Sequence, residues 1–97
     1  MIHFSTQDYQ AFVAEGMQDG VDRFDRSDDP RDLLFYAIGE IGEVFNAMKH
    51  YDDAQVKEEL GDVLWYIFAA IQKVGLSADD VISTNVTKLT ERYGTKA

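Results

Sequence analysis

The chain of 97 residues contains no cysteine, a single proline and only nine basic residues. The absence of cysteine excludes disulfides, cysteine-ligated zinc and thiol nucleophiles, and it fits a reducing compartment. Eighteen acidic residues outnumber the basic ones and give a formal net charge of −9, which opposes binding to a phosphate backbone. We therefore expect no nucleic-acid partner.

Long hydrophobic runs and targeting segments are also absent from the sequence. The longest near-continuous apolar run, residues 63–71, is far shorter than the roughly 20 residues that cross a bilayer. The first residues have neither the basic nor the apolar region of a signal peptide. These features predict a cytoplasmic protein with no membrane partner. The length predicts one domain, residues 1–97.

Capping signals divide the sequence into segments whose apolar residues recur at helical spacing. A capping box of Ser5 and Asp8 begins the first helix. Asp28 or Asp29, followed by Pro30, begins a second helix over about residues 30–50. The apolar stripe of the first helix comprises Phe12, Val13, Met17, Val21 and Phe24.

Two further helices follow a polar break at residues 51–53. The third covers about residues 54–74 and ends at Gly75, a common residue after a helix C-terminus. Ser77 and Asp80 form another capping box, which begins a fourth helix over about residues 78–93, closed by Gly94. No segment alternates as a strand does, so the predicted fold class is all-α, a four-helix bundle.

Apolar stripes predict which helix faces form the core. Helix two has two apolar stripes, one of Leu34, Ile38, Ile41, Phe45 and Met48 and a second beside it of Leu33, Tyr36, Val44 and Ala47. On helices three and four the predicted core stripes are Val56, Leu60, Val63, Ile67, Ile71 and Val74, and then Ile82, Val86, Leu89 and Tyr93. Acids interrupt this pattern, because Glu40 lies within the second stripe of helix two and Glu43 at its edge. On helix three, Glu59 and Asp62 project on the flank of the core stripe.

The spacing of these acids allows them to meet. If helices two and three form an antiparallel hairpin that turns near Tyr51, residues equidistant from the turn lie at the same height. Glu43 then matches Glu59, and Glu40 matches Asp62. Four converging carboxylates would repel one another unless protons or a cation neutralise them. A hard divalent cation, Mg²⁺ before Mn²⁺, suits such oxygen ligands. The alternative is that all four are solvated groups on the surface of an acidic protein.

Helix four carries a row of polar donors beside its apolar stripe. Asn85, Lys88 and Arg92 lie at helical spacing on one flank and would suit a phosphate clamp, with snorkelling or salt bridges to Glu91 as the alternative. Near the acids of helix three, Trp65 could stack on a base or pack at a dimer seam. Tyr66 could line the same pocket or belong to the core.

Three stretches carry a resemblance to a known family. They are residues 39–44 (GEIGEV), 58–66 (EELGDVLWY) and 85–93 (NVTKLTERY). In this order, the chain resembles the MazG-like nucleoside triphosphate pyrophosphohydrolases, part of the all-α NTP pyrophosphatase superfamily. One departure is Gly39, because many members have a second acid at the start of the first stretch.

The resemblance implies Mg²⁺-dependent cleavage of a (d)NTP to (d)NMP and pyrophosphate in a helical bundle completed by a homodimer or a dimer of dimers. It implies that Glu40, Glu43, Glu59 and Asp62 hold the metal and serve catalysis, and that Lys88 and Arg92 lie near the phosphates, with Asn85 on sugar or phosphate. Glu58 should point away from the site. The alternatives are a specialised relative acting on dUTP, dCTP or phosphoribosyl-ATP, and a non-catalytic acidic interaction module.

Overall fold

A computed structural model describes residues 3–18 and 29–94. These residues form α1 (Thr6–Gln18), α2 (Pro30–Lys49), α3 (Asp53–Lys73) and α4 (Ala78–Tyr93), and they contain no strand. None of the helices in these ranges is long and apolar enough to cross a membrane. The predicted all-α class and the four predicted helices are confirmed. Val21 and Phe24 of the predicted first stripe lie outside the described residues.

The helix starts follow the capping residues of the sequence. At α1 the Asp8 amide donates to the Ser5 hydroxyl and the Ser5 amide donates to the Asp8 carboxylate, so the predicted capping box is complete. Asp29, one of the two predicted candidates, is the N-cap of α2 and accepts a hydrogen bond from the Arg31 amide. The N-caps of α3 and α4 are Asp52 and Ser77.

The turn between α2 and α3 occurs at Tyr51, as the sequence predicted. Tyr51 has a φ of 53°, in the left-handed region that L-residues with a side chain seldom adopt. Its amide donates to the Met48 carbonyl, and the Asp52 amide donates to the Ala47 carbonyl. These bonds end α2 and let α3 begin almost at once, so the two helices run antiparallel.

The face through which α2 packs on α3 is the second of its two apolar stripes. Leu33, Val44 and Ala47 of the second stripe are buried, together with Ala37. All five residues of the other stripe are exposed in the single chain: Leu34, Ile38, Ile41, Phe45 and Met48.

The predicted core stripe of α3 is likewise only partly buried. Leu60, Ile67 and Val74 are exposed, whereas Val56, Val63 and Ile71 are half-buried. The buried positions of α3 are Ala69 and Ala70. The prediction for α3 is therefore corrected: its fully buried positions are two small residues and not the bulky stripe.

Helix α1 packs across α3 and completes the core of the chain. The buried cluster comprises Val13, Met17, Leu33, Ala69 and Ala70, with Tyr9, Trp65, Tyr66 and Phe68 packed against it. The indole of Trp65 packs directly against Gly16, where a Cβ would lie 3.3 Å from Cζ2 of that ring.

Helix α4 is fastened to the bundle at its start. The side chain of Gln10 accepts from the Ala78 amide at 2.8 Å and donates to the Leu76 carbonyl and the Gln72 side chain. Ala78 is buried, but every following residue of α4 is exposed. The predicted core stripe of α4 is therefore exposed in the single chain, because the helix extends away from α2 and α3: Ile82, Val86, Leu89 and Tyr93.

The described part of the single chain leaves many bulky apolar residues of α2 and α4 exposed.

Candidate functional site

Three carboxylates meet where α2 and α3 face each other. Glu40, Glu59 and Asp62 each offer an oxygen atom, and these atoms all lie within 4.8 Å of one another. The antiparallel hairpin produces this convergence, because it places Glu40 opposite Asp62 and puts Glu59 one turn earlier on the same face of α3. Glu40 and Glu59 are half-buried, and Asp62 is exposed.

The fourth predicted acid, Glu43, lies beside this cluster without belonging to the group of three. It is exposed on α2, one turn after Glu40, and its charge still reaches the Glu40 carboxyl. The structure therefore brings the four acids into one region, with Glu43 at its edge.

Glu40 is the carboxyl most affected by this environment. Burial, the charges of Asp62 and Glu59, a hydrogen bond with Glu59 and the charge of Glu43 together raise the pKa of Glu40 above its ordinary value of 4.5. These interactions disfavour a negative charge on Glu40.

A hard divalent cation fits this group of donors. Mg²⁺ and Mn²⁺ prefer carboxylate oxygens, and each is commonly held by a few carboxylates while retaining sites for other oxygen ligands. A cation among Glu40, Glu59 and Asp62 would relieve the repulsion that raises the pKa of Glu40. The exposure of Asp62 leaves this side of the cluster open to solvent.

Two tyrosines lie next to the acids in the hairpin. The rings of Tyr36 on α2 and Tyr66 on α3 are tilted against each other with their centroids 5.5 Å apart. Tyr66 is half-buried, packs against the core cluster and also contacts Trp65 edge to face. Tyr66 thus takes part in the packing one turn from Asp62, and a contact between it and a substrate stays a prediction.

Trp65 lies on the side of α3 that faces α1. It is half-buried, because its indole packs against the core cluster and Gly16. The contact with α1 gives Trp65 a packing role within the chain. Its predicted stacking on a base is untested.

Within one chain, the residues of the predicted phosphate clamp do not lie beside the acids. Asn85, Lys88 and Arg92 are exposed along α4, which packs mainly against α1 through its first residues. The charges that shift Glu40 are all acidic: those of Asp62, Glu59 and Glu43. That these three side chains bind phosphate stays a prediction.

Tyr9 is a residue near the site that the sequence pattern did not indicate. Burial, followed by the negative charge of Asp62, raises the pKa of the Tyr9 hydroxyl. Tyr9 also packs edge to face on Phe68, with ring centroids 4.9 Å apart. Its position depends on how α1 crosses α3, and helical spacing within α1 carries no signal for that crossing.

The comparison with known protein families agrees with this geometry. Residues 28–95 match the model of the family described as the MazG nucleotide pyrophosphohydrolase domain. This match covers more than half of the chain and includes all four acids, so the chain belongs to that family. No match was found among the curated proteins or among the solved structures.

Proposed function

We propose that this member of the MazG nucleotide pyrophosphohydrolase family is a Mg²⁺-dependent enzyme that converts a (d)NTP into the monophosphate and pyrophosphate. One observation carries the proposal: Glu40, Glu59 and Asp62 converge within 4.8 Å in a chain of this family. Mg²⁺, with Mn²⁺ as the alternative, would be held by these three carboxylates. When bound, the ion would offset the charge of the triphosphate and polarise its phosphoryl group.

The carboxylates of the cluster would also handle the nucleophilic water. Water adds to phosphorus, the anhydride bond between the α and β phosphates breaks, and pyrophosphate leaves opposite the incoming oxygen. A carboxylate accepts the proton that the water loses. We assign this task to Glu43, because it lies at the edge of the cluster while the other three acids are needed as ligands.

The substrate phosphates need cationic partners, for which α4 offers Lys88 and Arg92, with Asn85 on the same flank. In the single chain these side chains are exposed and α4 extends away from the acids. We propose that these side chains reach the active site when the protein assembles as a homodimer or a dimer of dimers.

The exposed apolar stripes support a second copy of this chain as the partner. An obligate dimer removes roughly 1,000–2,500 Å² from each chain, and its interface resembles a hydrophobic core. The stripe on α2 from Leu34 to Met48 has that character.

Pyrophosphate release from a panel of standard and modified (d)NTPs tests the activity. We expect release with Mg²⁺, none with chelator, and a loss of at least about 100-fold in Glu59→Ala because a ligand of the ion is removed. Glu58→Ala is the matched control, since Glu58 is the exposed neighbour of Glu59. Wild-type protein that is folded and assembled but releases no pyrophosphate from any substrate would contradict the proposal and favour an acidic interaction module.

A further inference from the structure

A cleft separates the beginning of α1 from the middle of α3. Its volume is about 350 Å³, which lies in the range of small-molecule sites. The aromatic rings of Phe4, Tyr9 and Phe68 line it, together with Leu64 and the open face of Gly61. Ser5 and Thr6 add hydroxyl groups.

The lining of the cleft suits a flat heteroaromatic ligand. Aromatic side chains stack on nucleobases of any identity, and hydroxyl groups at the edge of such a platform can donate to or accept from the base. Phe4 and Leu64 remain exposed at 61% and 50%, so a ligand would remove apolar surface from water. The ring of Tyr9 is held in place on Phe68, with 4.9 Å between the centroids, so this part of the platform is already formed.

The position of the cleft relates it to the carboxylate cluster. Gly61, which lines the cleft, is followed directly by Asp62, one of the three converging acids. Tyr9 also lines the cleft, and the charge of Asp62 contributes to the raised pKa of its hydroxyl. The cleft therefore borders the segment of α3 that carries Asp62.

We propose that this cleft binds the nucleobase of the triphosphate substrate. On one side it is lined by residues 4–9, which comprise the start of α1 and the residues just before it, and on the other side by residues 61–68 of α3. The inference rests on the proposed function and adds to it the surface that selects the base. In this arrangement Phe4 and Tyr9 contact the base, whereas the carboxylates hold the ion and the water.

Gly61 allows the cleft to be closed without disturbing the fold. A Cβ at Gly61 would have no atom within 4 Å, and glycine in a helix interior is less favourable than leucine. Gly61→Leu should therefore fold and fill the cleft. Gly42→Leu is the matched control, because Gly42 is also a helical glycine with open space around its Cβ position and it does not line the cleft.

Amide NMR spectra titrated with free nucleosides, without metal or phosphate, test the cleft alone. We expect chemical-shift changes at Ser5, Thr6 and Gly61 in the wild type, retained in Gly42→Leu and abolished in Gly61→Leu. Changes confined to another surface, no changes up to millimolar nucleoside, or unaltered binding by Gly61→Leu would each overturn the proposal.

Steady-state hydrolysis supplies the second measurement. We expect Gly61→Leu to raise KM for the preferred triphosphate by about tenfold or more and to reduce the discrimination among bases, with Gly42→Leu unchanged. Equal discrimination in Gly61→Leu and the wild type would contradict the cleft. A wild type without hydrolytic activity would contradict the proposed function, and the nucleoside titration would still decide whether the cleft binds a base.

Discussion

Carboxylate oxygens of Glu40 and Asp62 lie within 4.8 Å of each other across the α2–α3 hairpin, although the two residues are far apart in sequence. The short turn at Tyr51 sets this register. Replacing either carboxylate with a neutral amide should therefore change the thermal stability of the protein when metal is absent.

Neutral variants of this pair should be more stable than the wild type when metal is absent. In chelator, we expect Glu40→Gln to raise Tm by about 2–5 °C, and Asp62→Asn by less because Asp62 is exposed. Glu58→Gln is the control for a general loss of negative charge. A lower Tm in chelator for Glu40→Gln would count against a repulsive cluster.

Added Mg²⁺ should reverse this order of stability. An ion that binds only the folded protein stabilises it by about 2.7 kcal/mol at 100 times its dissociation constant. The wild type and Glu58→Gln should gain thermal stability with Mg²⁺, and the variants at Glu40 and Asp62 should gain little. Equal gains in all four proteins, measured by calorimetry, would show that Mg²⁺ binds elsewhere.

The raised pKa of Glu40 predicts a pH dependence of metal-free stability. Its folded-state pKa lies above 4.5, so in the window above that pH the folded protein binds more protons than the unfolded chain. The free energy of unfolding of the wild type should therefore fall, relative to Glu40→Gln, as pH rises from about 4.5 through the raised pKa. Denaturant titrations of both proteins in chelator measure this difference. A difference that is constant with pH, or that grows in favour of the wild type, would contradict the shift.

Gln10 should matter more for stability than the similar residue Gln7. Gln10→Ala removes the acceptor of the Ala78 amide, a buried group at the start of α4, and two further bonds. We expect a loss of about 1–2 kcal/mol in denaturant unfolding, because an unsatisfied buried donor is costly. Gln7→Ala removes only an exposed bond to Asp79 and should cost less than about 0.5 kcal/mol. Equal losses would mean that the start of α4 is not held by Gln10.

Local features of the fold were predictable from the sequence. The Ser5–Asp8 box and the Ser77 cap depend on residues three positions apart, so the sequence determines them. The pairing of Glu40 with Asp62 was also predictable, since a hairpin with a short turn has one register.

The choice between the two stripes of α2 was not predictable in the same way. Both stripes are apolar and periodic, so the pattern alone does not say which one packs on α3; the buried residues Val44 and Ala47 belong to the second stripe. The same limit applies to Tyr9, whose place beside Asp62 depends on the crossing of α1 over α3. The exposure of Val86 on α4 depends on whether a second copy covers it, and that information is not local either.

The exposed stripe of α2 gives the last prediction. Phe45 is 70% exposed in the single chain, and its neighbour Asn46 is exposed on a different face of the helix. If a second copy covers the stripe, Phe45→Asp places a charge in an apolar interface, which should shift the protein from a dimer or larger assembly toward the 11.0 kDa monomer. Asn46→Asp adds the same charge beside the stripe and should assemble as the wild type does. Sedimentation velocity measures the mass, and circular dichroism verifies that each variant retains its helices. Ile38→Asp, at another exposed stripe position, repeats the test if Phe45→Asp does not fold. A wild type that sediments as a monomer, or a folded Phe45→Asp that assembles fully, would show that this stripe is not the interface. The proposal that a second copy brings Lys88 and Arg92 to the acids would then lose its support.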